Sequence, residues 1–133
     1  MSPSPTVWHS LSYRDAPAAV EFLSTAFGFV AHGVYYDESD PTKIMHAQLD
    51  WPPGGGIMLG SGPRPDGMTD PTGHASAYCV VDDTIDLDEL FARATAAGAK
   101  VVRPLTAQDY GGRNFVVKDP EGNSWSFGDY PGE

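Results

Sequence analysis

At 133 residues, with 41% hydrophobic and 20% charged side chains, the chain has the size and balance of one globular unit. Eighteen acidic against eight basic residues give a formal charge of −10, and without Lys/Arg clusters nucleic acid is excluded as an expected partner. No apolar stretch nears the roughly 20 residues of a membrane span, MSPSPTVW lacks the pattern of a signal peptide, and a lone cysteine, Cys79, excludes an intrachain disulfide and fits a reducing cytoplasm.

Along the chain the same plan is written twice. A β-like stretch, Thr6 to Tyr13, leads into DAPAAVEFLSTAFG, where Asp15 caps, Pro17 sits in the first turn and Gly28 closes. Ala16, Ala19, Val20, Leu23 and Phe27 recur at three- and four-residue steps, which predicts an amphipathic helix. Three strand candidates follow: Phe29 to Tyr36, Ile44 to Trp51 and Gly56 to Gly60. Ser61 to Gly73 is rich in Gly and Pro and reads as a connector. The second half repeats the order. Ala75 to Val81 precedes a helix over Asp83 to Gly98, with Asp86 as a cap and Leu87, Leu90, Phe91 and Ala94 as its stripe. Then come Lys100 to Leu105, Asn114 to Lys118 and Asn123 to Gly128. The expected organisation is therefore a βαβββ module over residues 1–62, a connector over 63–73 and a second module over 74–133. Neither half has enough apolar surface to fold alone, so both should share one core.

The most specific motif is the run from Tyr110 to Gly128, YGGRNFVVKDPEGNSWSFG. Asp119-Pro120-Glu121-Gly122-Asn123 supplies tight-turn chemistry, and Ser124-Trp125-Ser126-Phe127 alternates small polar with aromatic. This turn and strand resemble the closing hairpin of the glyoxalase/bleomycin-resistance group, the vicinal oxygen chelate superfamily. That resemblance implies an α+β fold in which two βαβββ modules form a cupped mixed sheet. It also implies, in the enzymes of the group, a divalent metal held by His, Glu or Gln from the first and last strand of each module.

Counted in that register, the first-strand positions are Trp8 and Ser76, seven residues before Asp15 and Asp83. The last-strand positions are Met58 and Ser126, the latter seven residues after Asp119. Trp8 to Ser76, Asp15 to Asp83 and Met58 to Ser126 are each 68 residues apart, as a duplicated module requires. None of Trp8, Met58, Ser76 and Ser126 is a ligand for a hard or borderline divalent ion, so neither metal nor catalytic residue is expected. The alternative is a metal-dependent lyase, isomerase or dioxygenase with a shifted site of His46, Gln48 and His74. His9 has the wrong strand parity for the cup and should face the helices. Cys79, between Tyr78 and Val80, should also face the helices, buried and unreactive.

Indole, thioether and hydroxyls turn a metal basket into a mixed apolar and hydroxylic pocket. The ligand-binding residues expected there are Trp8, His46, Gln48, Met58, His74, Ser76, Tyr78, Arg113 and Ser126. The pattern resembles the bleomycin-resistance branch, which implies a homodimer that holds a small aromatic or cationic molecule in clefts shared by both chains, without a cofactor. A purely structural interaction module, with a filled cup, is the third class.

Overall fold

The computed structural model describes residues 5–64, 70–109 and 111–133. Residues 1–4, residues 65–69 of the expected connector and Tyr110 lie outside the described residues. The elements follow the duplicated plan: β1 (His9–Tyr13), α1 (Ala16–Phe22), β2 (Val30–Tyr36), β3 (Ile44–Asp50) and β4 (Gly56–Ser61), then β5 (Ser76–Val80), α2 (Leu87–Ala96), β6 (Lys100–Ala107), β7 (Arg113–Lys118) and β8 (Ser124–Gly128). Among the described residues no helix is long and apolar enough to cross a membrane.

The strands form two four-stranded mixed sheets, β1-β4-β3-β2 and β5-β8-β7-β6, each made by one module. In each, the first strand runs parallel to the last, and the remaining pairs are antiparallel. A first strand can lie parallel to the fourth because the helix and two further strands intervene. Ser10 pairs with Met58, and Tyr78 pairs with Ser126. The two registers are related by the 68-residue repeat read from the sequence.

Both helices begin at the expected caps. Asp15 Oδ1 accepts from Ala18 N at 3.1 Å, and Asp86 Oδ1 accepts from Glu89 N at 3.1 Å. The first helix departs from expectation at its end, where Leu23–Phe27 widens into a π-helical turn. Gly28 terminates that turn at φ 86°, a conformation that L side chains rarely adopt. Arg93 of α2 covers the same terminus, donating from Nε to Thr25 O at 2.6 Å and from Nη2 to Ser24 O at 3.0 Å. The orphan carbonyls at the end of one helix are thus satisfied by the other module.

One core joins the modules. Alternation puts Leu11, Tyr13, Ala47, Leu49, Ile57 and Leu59 of the first sheet and Phe115, Val117, Trp125 and Phe127 of the second on inner faces, all buried. Phe27, in the π-helical turn, meets Trp125 at 5.7 Å and Phe127 at 4.7 Å between ring centroids. Phe29 meets Trp51 at 5.1 Å, and Trp51 meets Phe127 at 5.5 Å. The inner faces of both sheets therefore look at the same aromatic core, and their outer faces look away from each other.

The turn motif clasps this arrangement. Asp119 is 5% exposed, and its Oδ2 accepts from Tyr13 Oη at 2.6 Å, Trp125 Nε1 at 3.0 Å and Asn123 Nδ2 at 3.3 Å. Its Oδ1 accepts from the backbone N of Glu121 and Asn123. Hydrogen bonding to the carboxylate, together with burial, drives the Tyr13 phenol pKa strongly upward; burial is the larger cause. Glu121 accepts from Arg14 N at 2.7 Å and Asp15 N at 2.9 Å. Asn123 Oδ1 accepts from Gly73 N and Ala75 N, which fixes the end of the connector. Removing the carboxylate strands several buried donors at once. Asp119→Ala should lower unfolding free energy by about 3–5 kcal/mol, and Tyr13→Phe by about 1–2 kcal/mol. Denaturant titration checks this, and a loss below 1 kcal/mol for Asp119→Ala would show that the clasp is not structural.

Candidate functional site

The outer face of each sheet carries the side chains that alternate with the core. On the first sheet these are Ser10 of β1, Met58 of β4, His46, Gln48 and Asp50 of β3, and Tyr35 of β2, in the order the register sets. Trp8 joins this face just before β1, packed over Gly56. A Cβ at Gly56 would lie 2.9 Å from the Trp8 ring and closer still to Leu49 O, so only glycine permits this contact. Ser10, Met45, His46, Met58, Gly60 and Arg64 border a hollow of about 220 Å³. His46 stacks on Tyr35 with ring centroids 6.3 Å apart and an interplanar angle of 19°. Gln48 Nε2 donates to Asp50 Oδ1 at 2.9 Å, while Asp50 Oδ2 lies 3.2 Å from His32 Nδ1.

On the second sheet the outer face holds Ser76 and Tyr78 of β5, Ser124 and Ser126 of β8, Val116 of β7 and Arg103 of β6. Arg103 Nη2 donates to Asn114 Oδ1 at 2.6 Å, and Tyr78 Oη donates to Tyr130 O at 2.7 Å. Tyr35, Met45 and Tyr78 are more than two-fifths exposed, so both outer faces present uncovered aromatic and thioether surface.

The four positions expected from the resemblance, Trp8 and Met58, Ser76 and Ser126, lie two on each outer face. An indole, a thioether and two neutral hydroxyls do not form a donor set for a divalent ion. Among the described residues no three of His, Cys, Asp and Glu converge as a metal site would need. The shifted trio is also divided, because His46 and Gln48 belong to the first sheet while His74 is exposed on the approach to β5 of the second.

Arg113 lies elsewhere than the other expected binding residues. It shares its strand face with Phe115 and Val117, and its guanidinium pairs with Asp88 of α2 at 3.1 and 3.3 Å. The pair holds the exposed Asp88 carboxyl below its usual range, and the Arg113 guanidinium rises correspondingly. Strand parity already carried this signal, since Phe115 and Val117 mark the helix side of β7. Parity likewise points to Ser10, two residues after Trp8, which the sequence reading left out. Tyr35 and Arg103 depend on cross-strand registers with bulges, which no local pattern reveals.

His9 and Cys79 take the inner-face positions expected of them. His9 sits edge-on to Trp125, with centroids 6.1 Å apart at 85°. Burial lowers the His9 pKa, which favours the neutral ring, and pushes the Cys79 thiol up to about 12, which disfavours the thiolate.

The sequence matches the Glyoxalase/Bleomycin resistance protein/Dioxygenase superfamily over residues 7–127, and the chain belongs to that superfamily. The uncharacterized protein Rv0887c of Mycobacterium tuberculosis is 36% identical over 129 residues, covering 93% of this chain and 74% of the relative. Among solved structures, TioX from Micromonospora sp. ML1 matches with a TM-score of 0.71 at 34% identity, covering 92% of this chain and 98% of TioX. FosX from Listeria monocytogenes, a fosfomycin resistance protein solved as a mutant with Mn(II) and 1S,2S-dihydroxypropylphosphonic acid, shares the fold with a TM-score of 0.69 at 15% identity, covering 96% of this chain and 94% of FosX.

The depressed His9 pKa has a stability consequence. A histidine that takes up its proton less readily when folded favours unfolding as pH falls below the unfolded value of about 6.5, and this cost levels off below the folded value. Only an anion near the ring would reverse the sign, and Asp82, which borders the same cleft, is exposed at its rim, so burial prevails. Replacing His9 by Phe should therefore flatten the loss of stability between pH 7 and pH 5, measured by urea titration at each pH. An unchanged slope would contradict a lowered His9 pKa.

Proposed function

We propose that this protein binds a small aromatic or cationic molecule without metal or turnover. Its site is a cup built by the first sheet of one chain and the second sheet of another in a cytoplasmic homodimer. The single observation that carries the reading is the identity of the four cup positions, Trp8, Met58, Ser76 and Ser126. A flat indole face and a polarizable thioether favour stacking and packing, while the hydroxyls orient polar groups.

The outward direction of both faces supports the shared cup. The hollow on the first sheet, about 220 Å³, is smaller than the roughly 300–1,000 Å³ that usually holds a drug-sized ligand. Apposing the second sheet of a partner would enlarge it and would cover the exposed Tyr35, Met45 and Tyr78. The charges are complementary, since Asp50 is on the first face and Arg103 and Lys118 are on the second. In that assembly Trp8 and Met58 face Ser76 and Ser126 of the partner subunit, and the site is incomplete in one chain.

A thermal-shift screen against planar aromatic amines, cationic antibiotics and divalent metals tests the function. A ligand at 100 times its Kd should add about 2.7 kcal/mol of stability. Trp8→Ala should weaken that ligand about threefold to tenfold through lost stacking. Stabilisation by Mn(II) or Zn(II), abolished by His46→Ala, would favour the metal enzyme instead. For the assembly, light scattering should give twice the chain mass, and Tyr35→Glu should shift it towards the monomer. A wild-type monomer at micromolar concentration would overturn the shared cup.

A further inference from the structure

A second hollow lies on the opposite side of the sheets, between the modules. It has a volume of about 510 Å³ and is bordered by His9, Phe29, Trp51, Ile57, Ala77 and Trp125, with the Pro53-Gly54 turn at its lip. The sequence repeat explains why space is left there. His9 and Leu11 of β1 correspond to Ala77 and Cys79 of β5, so the second module offers small side chains where the first has large ones.

The chemistry of the walls is narrow. Both indole N–H groups are already engaged, Trp51 Nε1 with Val80 O at 2.8 Å and Trp125 Nε1 with Asp119 Oδ2 at 3.0 Å, so the rings offer only apolar surface. Phe29 lies 5.1 Å from Trp51 and 5.6 Å from Trp125, which makes one aromatic wall. Asp82, the one carboxylate bordering the hollow, is exposed at the rim. Against this apolar surface stands one unmet polar group. His9 Nε2 is buried and has no hydrogen-bond partner among the described residues. Buried polar atoms are nearly always paired, so an orphan beside a hollow of ligand size points to a missing partner.

We propose that this inter-module cleft is a second binding site, distinct from the cup, which takes a neutral, flat aromatic molecule with one hydrogen-bonding group for His9 Nε2. An anionic ligand would lose its hydration and meet only the Asp82 carboxylate at the rim, so the site selects against negative charge. The hydroxyl or N–H of the ligand would pair with His9 Nε2, and its ring would lie against Phe29, Trp51 and Trp125.

The probes are 2-naphthol, 2-methylnaphthalene and 2-naphthoate, titrated against the intact protein by tryptophan fluorescence and calorimetry. 2-Naphthol should bind and raise Tm, while loss of the hydroxyl or addition of the carboxylate should weaken binding about tenfold, the size of one unmade hydrogen bond. Ala77→Phe, which fills the cleft, should abolish binding; Ser126→Trp, which fills the cup face, should leave it intact. His9→Phe should raise the Tm of the free protein and make 2-naphthol bind no better than 2-methylnaphthalene. That comparison decides the matter if Ala77→Phe fails to fold. Absence of 2-naphthol binding would overturn the proposal. So would equal affinity of the two neutral probes for the wild type, or loss of binding in Ser126→Trp with retention in Ala77→Phe.

Discussion

The buried carboxylate of Asp119 is the constraint on which the rest of this structure depends. It lies in a turn of the second module, yet it accepts the hydroxyl proton of Tyr13 from the first, 106 positions away. A charge with 5% exposure persists in a protein only when hydrogen-bond donors surround it, and here a phenol, an indole, an amide and two backbone N–H groups do so. Those donors come from β1, β8 and the turn itself. Satisfying one carboxylate therefore fixes how the two sheets meet. Glu121 and Asn123 extend the clasp to the start of α1 and to the end of the connector.

Once the clasp and the aromatic core hold the inner faces together, the positions of the functional surfaces follow. Residues that alternate with the core must point outward, so each sheet turns one face away from the shared core. The proposed cup, which draws on both modules, therefore calls for two chains. The same packing leaves the cleft between the modules, because Ala77 and Cys79 are too small to fill the space beside His9 and Trp125. Both candidate sites are consequences of how one duplicated pattern was filled with different residues.

Much of this was legible in the sequence. The 68-residue repeat gave the element order of both modules in advance, and Asp15, Asp86 and Gly28 marked helix ends by their chemistry. The same count put Trp8 and Met58 on one sheet and Ser76 and Ser126 on the other, which is how the strands carry them. What was illegible depends on distance in the chain or on exact backbone winding. The apolar stripe of the first helix fits an ordinary helix, and nothing in it announces the π-helical turn that aims Phe27 at Trp125 and Phe127. Asp119 read as a turn residue, because a sequence shows local hydrogen-bond capacity but not that Tyr13 will arrive beside it. Arg113 is a different case. Its place on the strand face of Phe115 and Val117 was readable from their alternation, and there it pairs with Asp88 of α2.

The central claim is that the cup exists only between chains. Cross-linking tests it directly in a Cys79→Ser background, because Cys79 is the chain's one cysteine. Ser10→Cys and Ser126→Cys chains, mixed and treated with a short bismaleimide, should give a covalent heterodimer, and the double variant should link between chains rather than within one. Efficient intrachain linkage in a monomer would contradict the account, as it would bring both outer faces together in a single chain.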